Sequence, residues 1–279
     1  MKVVTGWAEA GSAALYYERT GSGPPVLIVQ GGVSNAGGTP GLVEHLSRRH
    51  AVITYDRRGI ARSAGVEPAP AGAVLAQHAD DAASVLMAAA GEPARVIGAS
   101  VGAVIGLHLT VRWPSAVSGL LAHEPPLPSL VSDPEREQGL DDVAARAARG
   151  DLVPAVQQMA ALTEPDPMTE PGAAVAAPSP DLMSDLRYFF AHDFTAVRTE
   201  ELPAQALVAL RELREVGGPL VAVSGGERTR GRWEYECARV LSTVLDVPLR
   251  ELPGGHNGLS SHPRTSGERI AEWIDEGAL

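Results

Sequence analysis

Six short apolar runs punctuate this chain, and longer amphipathic stretches lie between most of them. The runs are PVLIVQ (25–30), AVITYD (51–56), ARVIGA (94–99), SGLLAH (118–123), PLVAVS (219–224) and PLREL (248–252). Runs this continuously apolar suit strands covered on both faces. Their alternation with helical stretches implies an α/β fold, a doubly wound and mostly parallel sheet with helices on either side. SAALYYER (12–19) reads as an earlier, antiparallel strand. Helical spacing appears at 41–49 (Leu42, Val43, Leu46), at 71–90, at 233–244 (Trp233, Cys237, Val240, Leu241, Val244) and at 264–274. Within 71–90, Val74, His78, Val85 and Leu86 fall near one face, with Asp80 and Asp81 expected outward. Right-handed crossovers place the carboxyl ends of such strands along one edge, where α/β proteins bind their ligands.

The alternation stops between about 125 and 218. Helical pieces at 133–150, 153–162, 182–190 and 203–216 surround a proline-laden stretch at 163–181, and no strand signal occurs. Prolines this dense exclude one continuous helix. Strand and helix alternate again afterwards, so residues 128–216 read as a helical cap, or lid, inserted into a core made of 1–127 and 217–279.

Charge narrows the partners. With 23 basic and 34 acidic side chains the net charge is −11, which opposes nucleic acid and acidic membrane surfaces. The lone cysteine, Cys237, closes the disulfide-framework class. The longest apolar stretch, 96–111, is too short for a bilayer span and holds Ser100 and His108. The amino-terminal MKVVTGWAEAGS carries no secretory apolar region. A cytoplasmic protein acting on a small molecule is the expectation, with a homodimer left open. Neither a G-x-G-x-x-G nor a metal-ligand spacing is present in the sequence, so no cofactor and no metal is implied.

Chemistry concentrates at Gly98-Ala99-Ser100-Val101-Gly102, a G-x-S-x-G between a predicted strand and an apolar helix. Glycines on either side allow a sharp turn that lifts the serine above the sheet edge. The helix start and the Val101 N–H then supply positive potential where an oxyanion would form. The competing reading is an ordinary glycine-rich turn with a capping serine. A serine nucleophile needs a base. Among eight histidines, His256 is best placed, in the loop Pro253-Gly254-Gly255-His256-Asn257-Gly258 after the last strand. His262 is its rival, and His123 reads as structural.

Taken in order, the strand–GASVG–helix unit, the Gln30-Gly31-Gly32 turn, the Tyr55-Asp56-Arg57-Arg58-Gly59 turn with Ala61 and Ser63, and the late PGGHNG loop resemble the α/β-hydrolase superfamily. Nearly the whole chain outside the cap is covered. The resemblance implies an eight-stranded sheet, a cap between the sixth and seventh strands, and a serine–acid–histidine triad. It also implies oxyanion donors at the Gly32 and Val101 N–H groups, with Gln30 standing where the family usually has histidine, beside the substrate.

The acid departs from the family pattern. After the seventh strand the chain reads Ser224-Gly225-Gly226-Glu227-Arg228-Thr229, and Thr229 takes the approximate place of the usual aspartate. Two carboxylates compete for the role: Glu227 in that turn, and Glu124, directly past the sixth strand in His123-Glu124-Pro125-Pro126. Some members of the superfamily carry their acid after the sixth strand. The cap holds all three phenylalanines, Phe189, Phe190 and Phe194, together with Met159, Met168 and Met183. Aromatics so placed read first as anchors of the cap on the core; the sharper reading has Phe189 and Phe190 line an apolar pocket over Ser100, with the methionines adding an adaptable wall. A serine at the elbow favours acyl transfer on an ester, thioester or lactone of a largely apolar molecule. A C–C bond hydrolase and a non-hydrolytic or binding member of the fold (lyase, cyclase, cofactor-free oxygenase, receptor) remain as alternatives.

Overall fold

A computed structural model describes residues 2–70, 72–165, 167–200 and 202–279. Eight strands form one sheet in the order β1-β2-β4-β3-β5-β6-β7-β8: β1 (Val3–Ala10), β2 (Ala13–Thr20), β3 (Pro25–Val29), β4 (Ala51–Tyr55), β5 (Ala94–Ala99), β6 (Val117–His123), β7 (Leu220–Gly226) and β8 (Leu249–Leu252). Only β2 runs against the others. All residues of β3 and β4 are buried, as a strand covered on both sides requires. β1 is the strand that the runs of apolar residues did not announce. Val3, Val4 and Trp7 are exposed there, only Ala8 and Ala10 are buried, and the strand lies at the sheet edge.

Helices cover both faces. On one side α2 (Val74–Ala89), α3 (Val101–Arg112) and α9 (Trp233–Leu245) pack on the sheet; on the other lie α1 (Pro40–Leu46) and α11 (Pro263–Asp275), preceded by the short α10 (Gly258–Ser261). Ala71, where the first of these was expected to begin, lies outside the described residues. Asp81 corrects its expected outward position. It is fully buried on α2, and both its oxygens accept from Arg58, at 2.8 and 2.7 Å. Fork-to-fork pairing of this kind is what makes such burial tolerable.

Between β6 and β7 stands an insertion whose regular elements, among the described residues, are all helical: α4 (Pro134–Ala148), α5 (Leu152–Thr163), α6 (Leu182–Tyr188), a π-helical turn (Phe189–Asp193), α7 (Phe194–Arg198) and α8 (Ala204–Glu215). Asp133 starts α4 by accepting from the Arg136 N–H at 3.0 Å. The helix expected at 182–190 does not stop there: it passes through the π turn and on to Arg198. Its wide turn disturbs the 3.6-residue period on which the expectation rested. The proline-laden stretch at 163–181, of which Asp166 lies outside the described residues, forms no helix beyond Thr163. No helix among the described residues is long and apolar enough to cross a membrane.

Candidate active site

Ser100 joins β5 to α3 with φ 55° and ψ −126°. That left-handed backbone is held by two close approaches. A Cβ on Gly98 would strike the Gly102 carbonyl, and one on Gly102 would strike the Val29 carbonyl of β3. Both positions of the motif therefore need glycine. The Ser100 side chain caps no N–H of α3, which removes the reading of a capping serine, and it opens onto a cavity. The Val101 N–H begins α3, where helical N–H groups lack intrahelical acceptors. Gly32, at φ +47°, turns the loop after β3 along the same cavity wall.

Strand register brings Glu124 to the same edge. Ala99 pairs with His123 and His123 with Ser224, while the Ser100 N–H donates to the His123 carbonyl and the Glu124 N–H to the Ser224 carbonyl. Glu124 is fully buried at φ 45°. Its Oε2 meets His256 Nδ1 at 2.8 Å. Its Oε1 accepts from the Gly226 N–H at 2.8 Å and from the Thr229 hydroxyl. Burial alone would raise this carboxyl. The His256 hydrogen bond, the neighbouring imidazoles and the Gly226 N–H outweigh burial and hold it down at about 2. An ionised carboxylate can only accept, so His256 carries its proton on Nδ1 and presents Nε2 as an acceptor. Burial pulls the His256 pKa down, but the Glu124 contact, with Glu234 and Glu164 nearby, leaves it raised above 6.5.

Glu227, the other carboxylate considered, is exposed. Thr229, sitting where the family's aspartate is expected, instead donates to Glu124. His262 lies at the start of α11, its Nδ1 on Ser261 Oγ at 2.9 Å. His123 is structural: burial lowers its pKa, and it links Ser224 Oγ (3.0 Å) to the Gly255 carbonyl (3.2 Å), bracing the loop that carries His256. No hydrogen bond joins Ser100 Oγ to the imidazole in this conformation, though both line one cavity.

Comparison with known proteins agrees with this geometry. A family model described as alpha/beta hydrolase fold matches residues 24–164. The chain belongs to the α/β-hydrolase family. It is 29% identical over 280 residues to the uncharacterized hydrolase YraK of Bacillus subtilis, spanning 99% of this chain and 98% of that one. Among solved structures, an α/β hydrolase from Sphaerobacter thermophilus superimposes with a TM-score of 0.67 at 23% identity, covering 97% of this chain and 100% of its own. An esterase from Exiguobacterium antarcticum does so with a TM-score of 0.72 at 17% identity, covering 98% and 100%.

In this α/β-hydrolase the cavity measures about 480 Å³ and lies between the sheet edge and the insertion. Gln30 contributes to its wall, but its side-chain amide is turned to Thr39 Oγ1 at 2.9 Å. Phe189 lines the cavity, with Phe194, Met159, Leu140 and Trp233. Phe190, expected beside it, corrects the sequence reading. Adjacent helical residues do not face the same way, and Phe190 opens onto a separate cleft of the insertion. Met168 and Met183 also fail to join the wall, being 51% and 38% exposed. Two wall groups went unnoticed in the sequence. Arg136 of α4 stacks 3.7 Å over the Trp233 ring and pairs at 2.6 Å with the buried Glu234. Opposite charges 98 positions apart leave no periodic trace.

Proposed function

We propose that the chain is a serine hydrolase that cleaves an ester, thioester or lactone of a small-to-medium, largely apolar molecule through an acyl-enzyme on Ser100. The observation that carries this reading is the ionised, buried Glu124 bound to Nδ1 of an imidazole whose Nε2 shares a cavity with a strained elbow serine. Nε2 of His256 takes the proton as Ser100 Oγ attacks the acyl carbon. The oxyanion forms at the Gly32 and Val101 N–H groups. His256 returns the proton to the leaving oxygen or sulfur, and water then releases the acid by the same steps in reverse. Nucleophile–base hydrogen bonds often tighten only with substrate in place. Glu124 on Nδ1 of His256 supports this reading over a non-hydrolytic one although Thr229 stands at the family's usual acid position.

A fluorophosphonate supplies the test. Wild-type protein should gain the mass of one phosphonyl group, and Ser100→Ala should gain none. Wild-type protein that stays unlabelled at high probe excess would defeat the proposal.

A further inference from the structure

One guanidinium grips both sides of the peptide that carries the Gly32 N–H. Arg57, two residues past β4, is wholly buried. Its Nη1 donates to the Gln30 carbonyl at 2.6 Å, and its Nη2 donates to the Gly32 carbonyl. Those carbonyls belong to the peptides before and after the Gly31–Gly32 peptide. The carbonyl of that middle peptide accepts from the Ser34 N–H at 3.0 Å. Nothing lies within 4 Å of where a Gly32 Cβ would be, so side-chain packing does not fix the loop at Gly32. Hydrogen bonds do.

The guanidinium is held in turn from the insertion. Asp193 Oδ2 accepts from Nη2 at 3.1 Å, and Oδ1 meets His78 Nε2 of α2 at 2.9 Å. Asp193, also fully buried, ends the π turn that Phe189 begins at the cavity wall. Such turns recur at functional sites. As an anchor alone the pair is poorly explained: matched apolar residues often stabilise a fold as well as a buried ion pair does, and Arg57 Nε is left without a partner.

We infer that Arg57 is a positioning residue for the oxyanion hole and that Asp193 holds it there from the insertion. The π turn over the cavity thereby belongs to the catalytic apparatus and is more than a cover. Arg57 touches no reacting atom. It fixes the direction of the Gly32 N–H and adds positive potential behind it. The inference rests on Ser100 being the nucleophile.

The test uses p-nitrophenyl butyrate as substrate and phenylboronic acid as an analogue of the tetrahedral state. Arg57→Lys keeps the charge but loses the rigid fork whose two nitrogens span the two carbonyls. It should lower kcat about 10- to 100-fold with KM within about threefold, and weaken the boronate by a similar factor. Asp193→Asn should show a smaller loss of the same kind. Because a lone buried charge could impair folding, Arg57→Met with Asp193→Leu is the companion variant. It removes both buried charges together, should still unfold in one cooperative thermal transition, and should still lose kcat and boronate affinity. A retained kcat and boronate affinity in these variants, or a rise in KM alone, would overturn the inference. If wild-type Ser100 takes up no fluorophosphonate, the serine-hydrolase reading itself falls, which separates the two failures.

Discussion

Ser100 and Glu124 both hold left-handed backbone, at φ 55° and 45°. An L-residue in such a region costs about 1–3 kcal/mol, whereas glycine adopts it freely but loses more unfolded-state entropy. Ser100→Gly should therefore stabilise the fold by about 1 kcal/mol net, read as a higher urea midpoint; a lower midpoint would mean that the elbow stores no strain. The pH dependence follows from the partners of Glu124. His256 must be neutral to act as base, and its pKa is raised above 6.5, so kcat/KM should fall below a midpoint higher than that. Glu124→Gln removes the raising charge: the limb should move to lower pH, and kcat should drop by roughly 10²–10⁴. Stability depends on pH with the same sign but over a lower window. The folded Glu124 carboxyl is depressed from 4.5 to about 2, so its contribution is complete above 4.5 and is lost as pH falls toward 2. The stability difference between wild type and Glu124→Gln should shrink across that window. A constant difference in acid titrations followed by circular dichroism would contradict the ionised assignment.

At the scale of elements, the close crossing of α3 over β3 decides where the elbow points. A Cβ at Gly102 lands on the Val29 carbonyl, so Gly102→Ala should cost about 2–3 kcal/mol, seen as a lowered Tm, and should tilt Ser100 out of line. Elements whose signal is local were legible in the sequence. Strands buried on both faces read as apolar runs, and the glycines around Ser100 announced a sharp turn. Elements shaped by distant partners were not. β1 exposes Val3, Val4 and Trp7 at the sheet edge and resembles a polar leader. Asp81 reads as surface until Arg58 arrives from the β4 loop. The π turn is invisible because Asp193 occupies a buried position only with Arg57 and His78 to meet it. For the site, residue types and chain order pointed to Ser100, Glu124 and His256 as candidates. That Glu124 and not Glu227 meets His256 needed register, since the ladder from Ala99 through His123 to Ser224 aligns Glu124 with the turn at Ser100.

Over the whole molecule, apolar burial is unevenly shared. Two large clusters fill the faces of the sheet, whereas the insertion's own cluster has five buried members: Leu140, Val143, Ala155, Phe189 and Phe194. Much of its attachment to the core is polar instead. Asp185 accepts from the Ala61 N–H at 2.8 Å, Arg136 reaches Glu234, Glu164 accepts from the Asn257 N–H at 3.2 Å, and Glu170 accepts from the Arg264 N–H at 2.6 Å. Individual contacts of this kind contribute about 0.5–3 kcal/mol each, so the insertion can open before the sheet does. Native-state hydrogen exchange should then show amides of α4 and α5 exchanging at free energies at least about 2 kcal/mol below those of β3 and β5. The π turn should be the best protected part of the insertion, because Asp193 and its two partners are buried together. Covalent phosphonylation of Ser100 should slow exchange in α4 and the π turn, which line the occupied cavity, and leave β1 unchanged. Uniform protection of insertion and sheet would instead make the molecule one cooperative unit.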